Sequence, residues 1–80
     1  MPKLKVLSGN EIIKILSIFG FSIEAQKGSH VKLSRFVNSK KEVLTVPLHQ
    51  EIDKGTLRAI IRQSSKFIPE EKLDQHFYTE

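Results

Sequence analysis

Apolar positions along the chain keep a helical period, then a strand period, then a helical period again. Ile12, Ile13, Leu16 and Phe19 recur at three- and four-residue spacing, which makes one apolar face of a helix. Ser8-Gly9-Asn10-Glu11, just before them, has the form of a capping box. The Ser8 hydroxyl would accept from the Glu11 N–H, and the Glu11 carboxylate would reach back to the Ser8 N–H. Gly20 is a natural residue to follow the last turn, so the pattern predicts a helix over about residues 9–19. The period then drops to two. Phe21-Ser22-Ile23-Glu24-Ala25-Gln26 and His30-Val31-Lys32-Leu33-Ser34 alternate apolar and polar, as half-buried strands do, and Lys27-Gly28-Ser29 is the turn between them. In the second strand Val31 and Leu33 share one face, while His30, Lys32 and Ser34 share the other. Phe36 falls on the His30 face, so this strand is expected to bend or end near Arg35. Val37-Asn38-Ser39-Lys40-Lys41 reads as a polar hairpin loop, and Glu42-Val43-Leu44-Thr45-Val46, rich in β-branched residues, as the third strand. Pro47 ends its pairing on one side.

Helical spacing returns with Leu57, Ile60 and Ile61, after a loop in which Asp53 or Thr56 is the expected N-cap. Arg58 and Arg62 lie one turn apart on another face. They are either a solvated face or contacts to phosphate. Pro69 suits the first position of a third helix, and Glu70 and Glu71 complement the dipole at its start. Leu73 and Phe77 supply its apolar contacts, and the helix is expected to be short and peripheral, over about 69–77. The predicted order is α-β-β-β-α with a small extra helix, one domain over residues 1–80. Three consecutive strands with short turns form an antiparallel meander. The fold class is α+β: a three-stranded antiparallel sheet with helices on one face and the other face open. His30, Lys32 and Ser34 would lie on that open face or at its edge.

Composition narrows the chemistry. Eighty residues build one modest core. The absence of cysteine excludes a disulfide scaffold, a thiolate nucleophile and cysteine zinc sites. The three histidines, at 30, 49 and 76, have no metal-site spacing, so neither metal nor cofactor is assigned. No apolar run approaches the ~20 residues of a membrane span, and no apolar block of signal-peptide type follows Met1-Pro2-Lys3-Leu4-Lys5. The expected location is the cytoplasm, with no membrane partner. A net charge of +4 and an isoelectric point of about 9.6 favour polyanions, nucleic acid first among them.

The residues that carry a resemblance stand in order along most of the chain. They are Ser8-Gly9-x-Glu11, Gly20-Phe21, Lys27-Gly28-Ser29-His30, Val46-Pro47-Leu48-His49, and Lys54-Gly55-Thr56-Leu57-Arg58-x-Ile60-Ile61-Arg62-Gln63. In that combination, over roughly residues 8–65, the chain resembles the HicA (YcfA-like) toxins of toxin–antitoxin pairs. It departs from them at Val37–Lys41, which lacks a Pro-Asp-Gly type turn, and after Gln63, where Ser64-Ser65-Lys66 replaces Ala-Gly. The resemblance implies a double-stranded-RNA-binding-domain-like fold and a ribosome-independent endoribonuclease that cuts mRNA. It also implies a HicB-type antitoxin as protein partner, and His30 as the catalytic histidine. Histidine suits the work because its unperturbed pKa of roughly 6.5 lets it take and give a proton near neutrality. On this reading Lys27 and Lys32 contact phosphate, Gly28 and Ser29 offer backbone N–H groups, and Arg58 and Arg62 are further phosphate contacts. His49 is either a complementary acid or a structural residue in the loop into the second helix. His76, outside the resemblance, is expected at the surface. Two other classes stay open: a non-catalytic RNA-binding module of the same fold, and a protein-interaction module that docks a partner on the open sheet face.

Overall fold

A computed structural model describes residues 2–79. The capping box forms as expected. Glu11 N–H donates to Ser8 Oγ at 3.1 Å, and Ser8 N–H donates to Glu11 Oε1 at 2.9 Å. Helix α1 then runs over Gly9–Ile18 and buries Ile12 and Leu16. It ends in a Schellman arrangement: Gly20 N–H donates to Ser17 O at 3.1 Å, and Phe21 N–H to Leu16 O at 3.2 Å. Gly9 is glycine for a steric reason. A Cβ there would lie 2.1 Å from the Pro47 carbonyl oxygen, so the helix start packs directly on backbone.

Strands β2 (Ser22–Lys27), β3 (His30–Val37) and β4 (Lys40–Pro47) form an antiparallel sheet in the order β2-β3-β4. Val31, Leu33, Leu44 and Val46 point to the helices and are buried. Helix α2 (Lys54–Ser64) is capped by Asp53, whose carboxylate accepts from Thr56 N–H at 3.0 Å and from Thr56 Oγ1 at 2.7 Å. Its residues Leu57, Ile60 and Ile61 close the core over the sheet. The α+β class is therefore as expected, with one sheet face packed and one open. Among the described residues no helix is long and apolar enough to cross a membrane.

The structure corrects four local expectations. β3 does not bend or end near Arg35; its pairing with β4 is unbroken from His30↔Pro47 to Val37↔Lys40. The hairpin loop shrinks to Asn38 and Ser39, at φ 52° and 66°, the two left-handed residues that a type I′ turn requires. Helix α3 (Glu70–Phe77) is small, but it is not peripheral: Leu73 and Phe77 are fully buried in the shared core. It is tied down by a ribbon outside the expected order, β1 (Lys3–Leu4) paired with β5 (Tyr78–Thr79). His76 is half-buried rather than a surface residue, with its ring edge-on to Phe19 at 5.6 Å between centroids.

Arg35, given no role by the sequence pattern, is a structural hub. Its Nε donates to Glu42 Oε1 at 2.6 Å, Nη1 to Phe19 O at 2.6 Å and Nη2 to Phe67 O at 2.8 Å. Its guanidinium also stacks 4.7 Å from the Phe21 ring centroid. One planar cation thus joins β4, the end of α1 and the segment leading to α3, which a fork of donors does and a lysine cannot.

Candidate active site

The β2–β3 connection is two residues long, not three. Gly28 has φ +60°, and no clash would meet a Cβ there. The constraint is therefore the backbone angle itself, which glycine adopts at no steric cost. Positive φ at the first turn position and not at the second is the type II′ pattern. Gln26 Nε2 donates to Gly28 O at 3.2 Å across the turn.

The turn is this short because β2 carries a bulge. Ser22 and Ile23 pair with Ser34 and Leu33, but Ala25 pairs with Lys32, leaving Glu24 as the extra residue. A bulge moves every later residue by one position in register. Lys27, not Gln26, therefore stands opposite His30. Without the bulge the lysine would belong to the turn, as the alternation alone predicted.

His30 opens β3 between two partners, Lys27 on β2 and Pro47 on β4. It is exposed, as are Lys27, Gly28 and Ser29. Next to it the ladder continues beyond Pro47, because Leu48 N–H donates to Ser29 O at 2.6 Å. His49, exposed, comes one residue later, and its carbonyl accepts from Gly9 N–H at 2.9 Å. The backbone of His49 thus fastens the start of α1 to the end of β4. Among the described residues its side chain makes no hydrogen bond to His30. The hairpin tip, the strand end and the helix start nevertheless converge at one corner of the sheet, with both imidazoles at its surface.

Lys32 lies on the open face two residues from His30, but it is not an unpaired cation. Its ammonium is 3.1 Å from Glu24 Oε2, and Lys41 of β4 binds the other oxygen of the same carboxylate. Lys41 first, then Lys32, with help from the Ser34 hydroxyl, hold the Glu24 carboxyl down to about 2. Glu24 is thus the bulged residue that spans the face of β3. Ser34, expected on the open face, is buried in the structure and lies between the strands this ion pair set crosses. Glu24 and Lys41 went unnoticed in the sequence because no periodic pattern marks a bulge.

Arg58 and Arg62 go elsewhere. With Ile61, Ser65, Glu70 and Tyr78 they line a shallow cleft of about 230 Å³ between α2, α3 and β5. No residue of the hairpin tip contributes to that cleft. Among the described residues no three His, Asp or Glu side chains gather as a set that would hold a metal ion.

Compared with known proteins, the chain matches over residues 9–65 the family model described as a HicA toxin of bacterial toxin-antitoxin. No curated protein matches it. No solved structure matches it either.

Proposed function

The chain belongs to the HicA toxin family of bacterial toxin–antitoxin systems, and from that premise we propose that it is an endoribonuclease that cuts mRNA at His30. The observation that carries this reading is the placing of His30. It is an exposed imidazole at the head of a strand, paired across the ladder with Lys27, beside a glycine turn with exposed backbone.

RNA holds its own nucleophile. The ribose 2′-oxygen attacks the adjacent phosphorus while a base removes its proton, and the bond to the leaving 5′-oxygen breaks as an acid protonates that oxygen. His30 serves as the base or the acid, a role worth ~10²–10⁴-fold when the group is positioned. Lys27 faces the phosphate and offsets charge that grows on its oxygens, with the turn N–H groups of Gly28 and Ser29 beside it. The need for a 2′-hydroxyl selects RNA over DNA. Lys32 contributes less than a free lysine, since Glu24 shares its charge. His49 is the one other imidazole at this corner and the candidate for the complementary proton transfer. The chemistry as written draws on no cofactor. It operates in the cytoplasm, where mRNA is, and a HicB-type antitoxin is the partner that restrains it.

The test is induced expression of the wild type and of His30→Ala, with cleavage of purified RNA beside it. Wild type should arrest growth and cut RNA. The variant should do neither, while its far-UV circular dichroism and melting stay unchanged. Equal toxicity and equal cleavage by both would remove His30 from the chemistry. Co-expression with a HicB-type antitoxin should restore growth.

A further inference from the structure

The open face of the sheet carries a row that begins at the cleavage corner and runs well past it. Along β3, His30, Lys32, Ser34 and Phe36 share one side of the strand; His30, Lys32 and Phe36 are exposed, and Ser34 is buried between them. Because β3 continues straight to Val37, Phe36 stays in that row with 69% of its surface exposed. Lys41 is its cross-strand partner, and Lys40 is the partner of Val37. β2 does not extend this far, since its pairing with β3 ends at Ser22↔Ser34. The ring therefore stands beyond the last β2–β3 pair, with most of its surface exposed.

We propose that this face is a track for single-stranded RNA, with Phe36 as a platform on which one nucleobase stacks, a few nucleotides away from the bond cut at His30. The proposal rests on the nuclease reading for its polarity, and on three observations for its substance. First, an exposed aromatic on a strand, aligned with outward cations, is the combination that binds single strands without sequence preference: cations follow the phosphates and the ring takes a base. Second, the charge fits. Lys27, Lys32 and Lys41 share the face with the Glu24 carboxylate, leaving a net of two positive charges for a polyanion. Third, the rim of the ring is lysine, a residue depleted at protein–protein interfaces.

The spacing gives the track a length. Six residues of strand separate His30 from Phe36, about 20 Å at the usual rise, on the order of three to six nucleotides depending on how stretched the strand is. A substrate that reaches only the His30 corner gains nothing from the ring. A longer one is held at two points.

The experiment compares wild type, Phe36→Ala and Phe36→Trp. Since the ring is exposed, its removal leaves the core intact, and circular dichroism checks this. Binding is read by fluorescence anisotropy on a labelled, 2′-O-methylated oligoribonucleotide of about 12 nucleotides, which 2′-hydroxyl chemistry cannot cut. Phe36→Ala should bind roughly tenfold more weakly, the size of one base stack, and Phe36→Trp at least as tightly as wild type. Cleavage of the unmethylated oligonucleotide should show the same loss in KM, with kcat kept, and cleavage of a dinucleotide should not change. If Phe36→Ala binds RNA as wild type does, the track is wrong, even if His30→Ala still abolishes cleavage. If Phe36→Ala keeps RNA but loses the antitoxin, the face is a protein-docking surface and the proposal is overturned. If Phe36→Ala weakens RNA binding while His30→Ala cuts normally, the track stands and the catalytic reading falls.

Discussion

Arg35 and Glu24 are each a single charged side chain holding several elements, but burial gives them different weight. Arg35 is mostly enclosed, and its three donors satisfy a carboxylate and two main-chain carbonyls. Removing it leaves those acceptors without their partner, which costs more than the net value of the bonds. Arg35→Ala should lower the unfolding free energy by about 3 kcal/mol in a denaturant titration, and Arg35→Lys should recover less than half of it. Glu24 is exposed, so its ion pairs are screened and salt-dependent. Its folded-state pKa lies near 2 against an ordinary value of 4.5. The sign follows: the carboxylate favours folding above its ordinary value, and this contribution is lost as pH falls through about 2. Between about pH 5 and 2 the melting temperature of the wild type should fall more than that of Glu24→Gln, and the difference should shrink in high salt.

Both hairpins show how turn chemistry and register depend on each other. At the β2–β3 turn, glycine fills the one left-handed position. At the β3–β4 turn, Asn38 and Ser39 both take that conformation, and a serine does so at a steric cost that glycine does not pay. Asn-Gly is the favoured pair for this turn type. Ser39→Gly should therefore raise stability by about 1 kcal/mol, read as a higher denaturant midpoint at unchanged slope. The Pro-Asp-Gly type turn absent at this place is replaced by a tighter one, and the consequence is a straight β3 that keeps Phe36 on the open face.

For the molecule as a whole, the family match ends at residue 65, but the core does not. Ile68, Leu73 and Phe77 are buried in the same cluster as α1, α2 and the sheet. A domain of this size has few large side chains to spare. Phe77→Ala should cost about 3–5 kcal/mol, a large share of the stability of a small domain. It should therefore weaken the proposed RNA cleavage through loss of folded protein, with the activity per folded molecule unchanged. Thermal melts and active-fraction measurements on the same preparation check this.

The residue pattern by itself determined the capping box of α1, narrowed the cap of α2 to Asp53 or Thr56, and gave the two amphipathic helices, three strands in a meander and the inward pair Val31 and Leu33; Asp53 as the cap, and Leu44 and Val46 beside that pair, came from the structure. What the pattern determined is local: period, cap and turn residues act within one or two turns of chain. It also singled out His30 beside a glycine turn. What it left open depended on contacts between segments far apart. Leu73 and Phe77 look like any short amphipathic helix until the core they fill exists. Arg35 looks like a strand residue until Phe19, Glu42 and Phe67 surround it. Above all, the bulge at Glu24 is a one-residue choice of register, and alternation cannot detect it because both registers bury β2 poorly at the sheet edge. Only the assembled sheet, with Lys32 and Lys41 converging on the Glu24 carboxylate, shows that slip, and the slip is what sets Lys27 opposite His30.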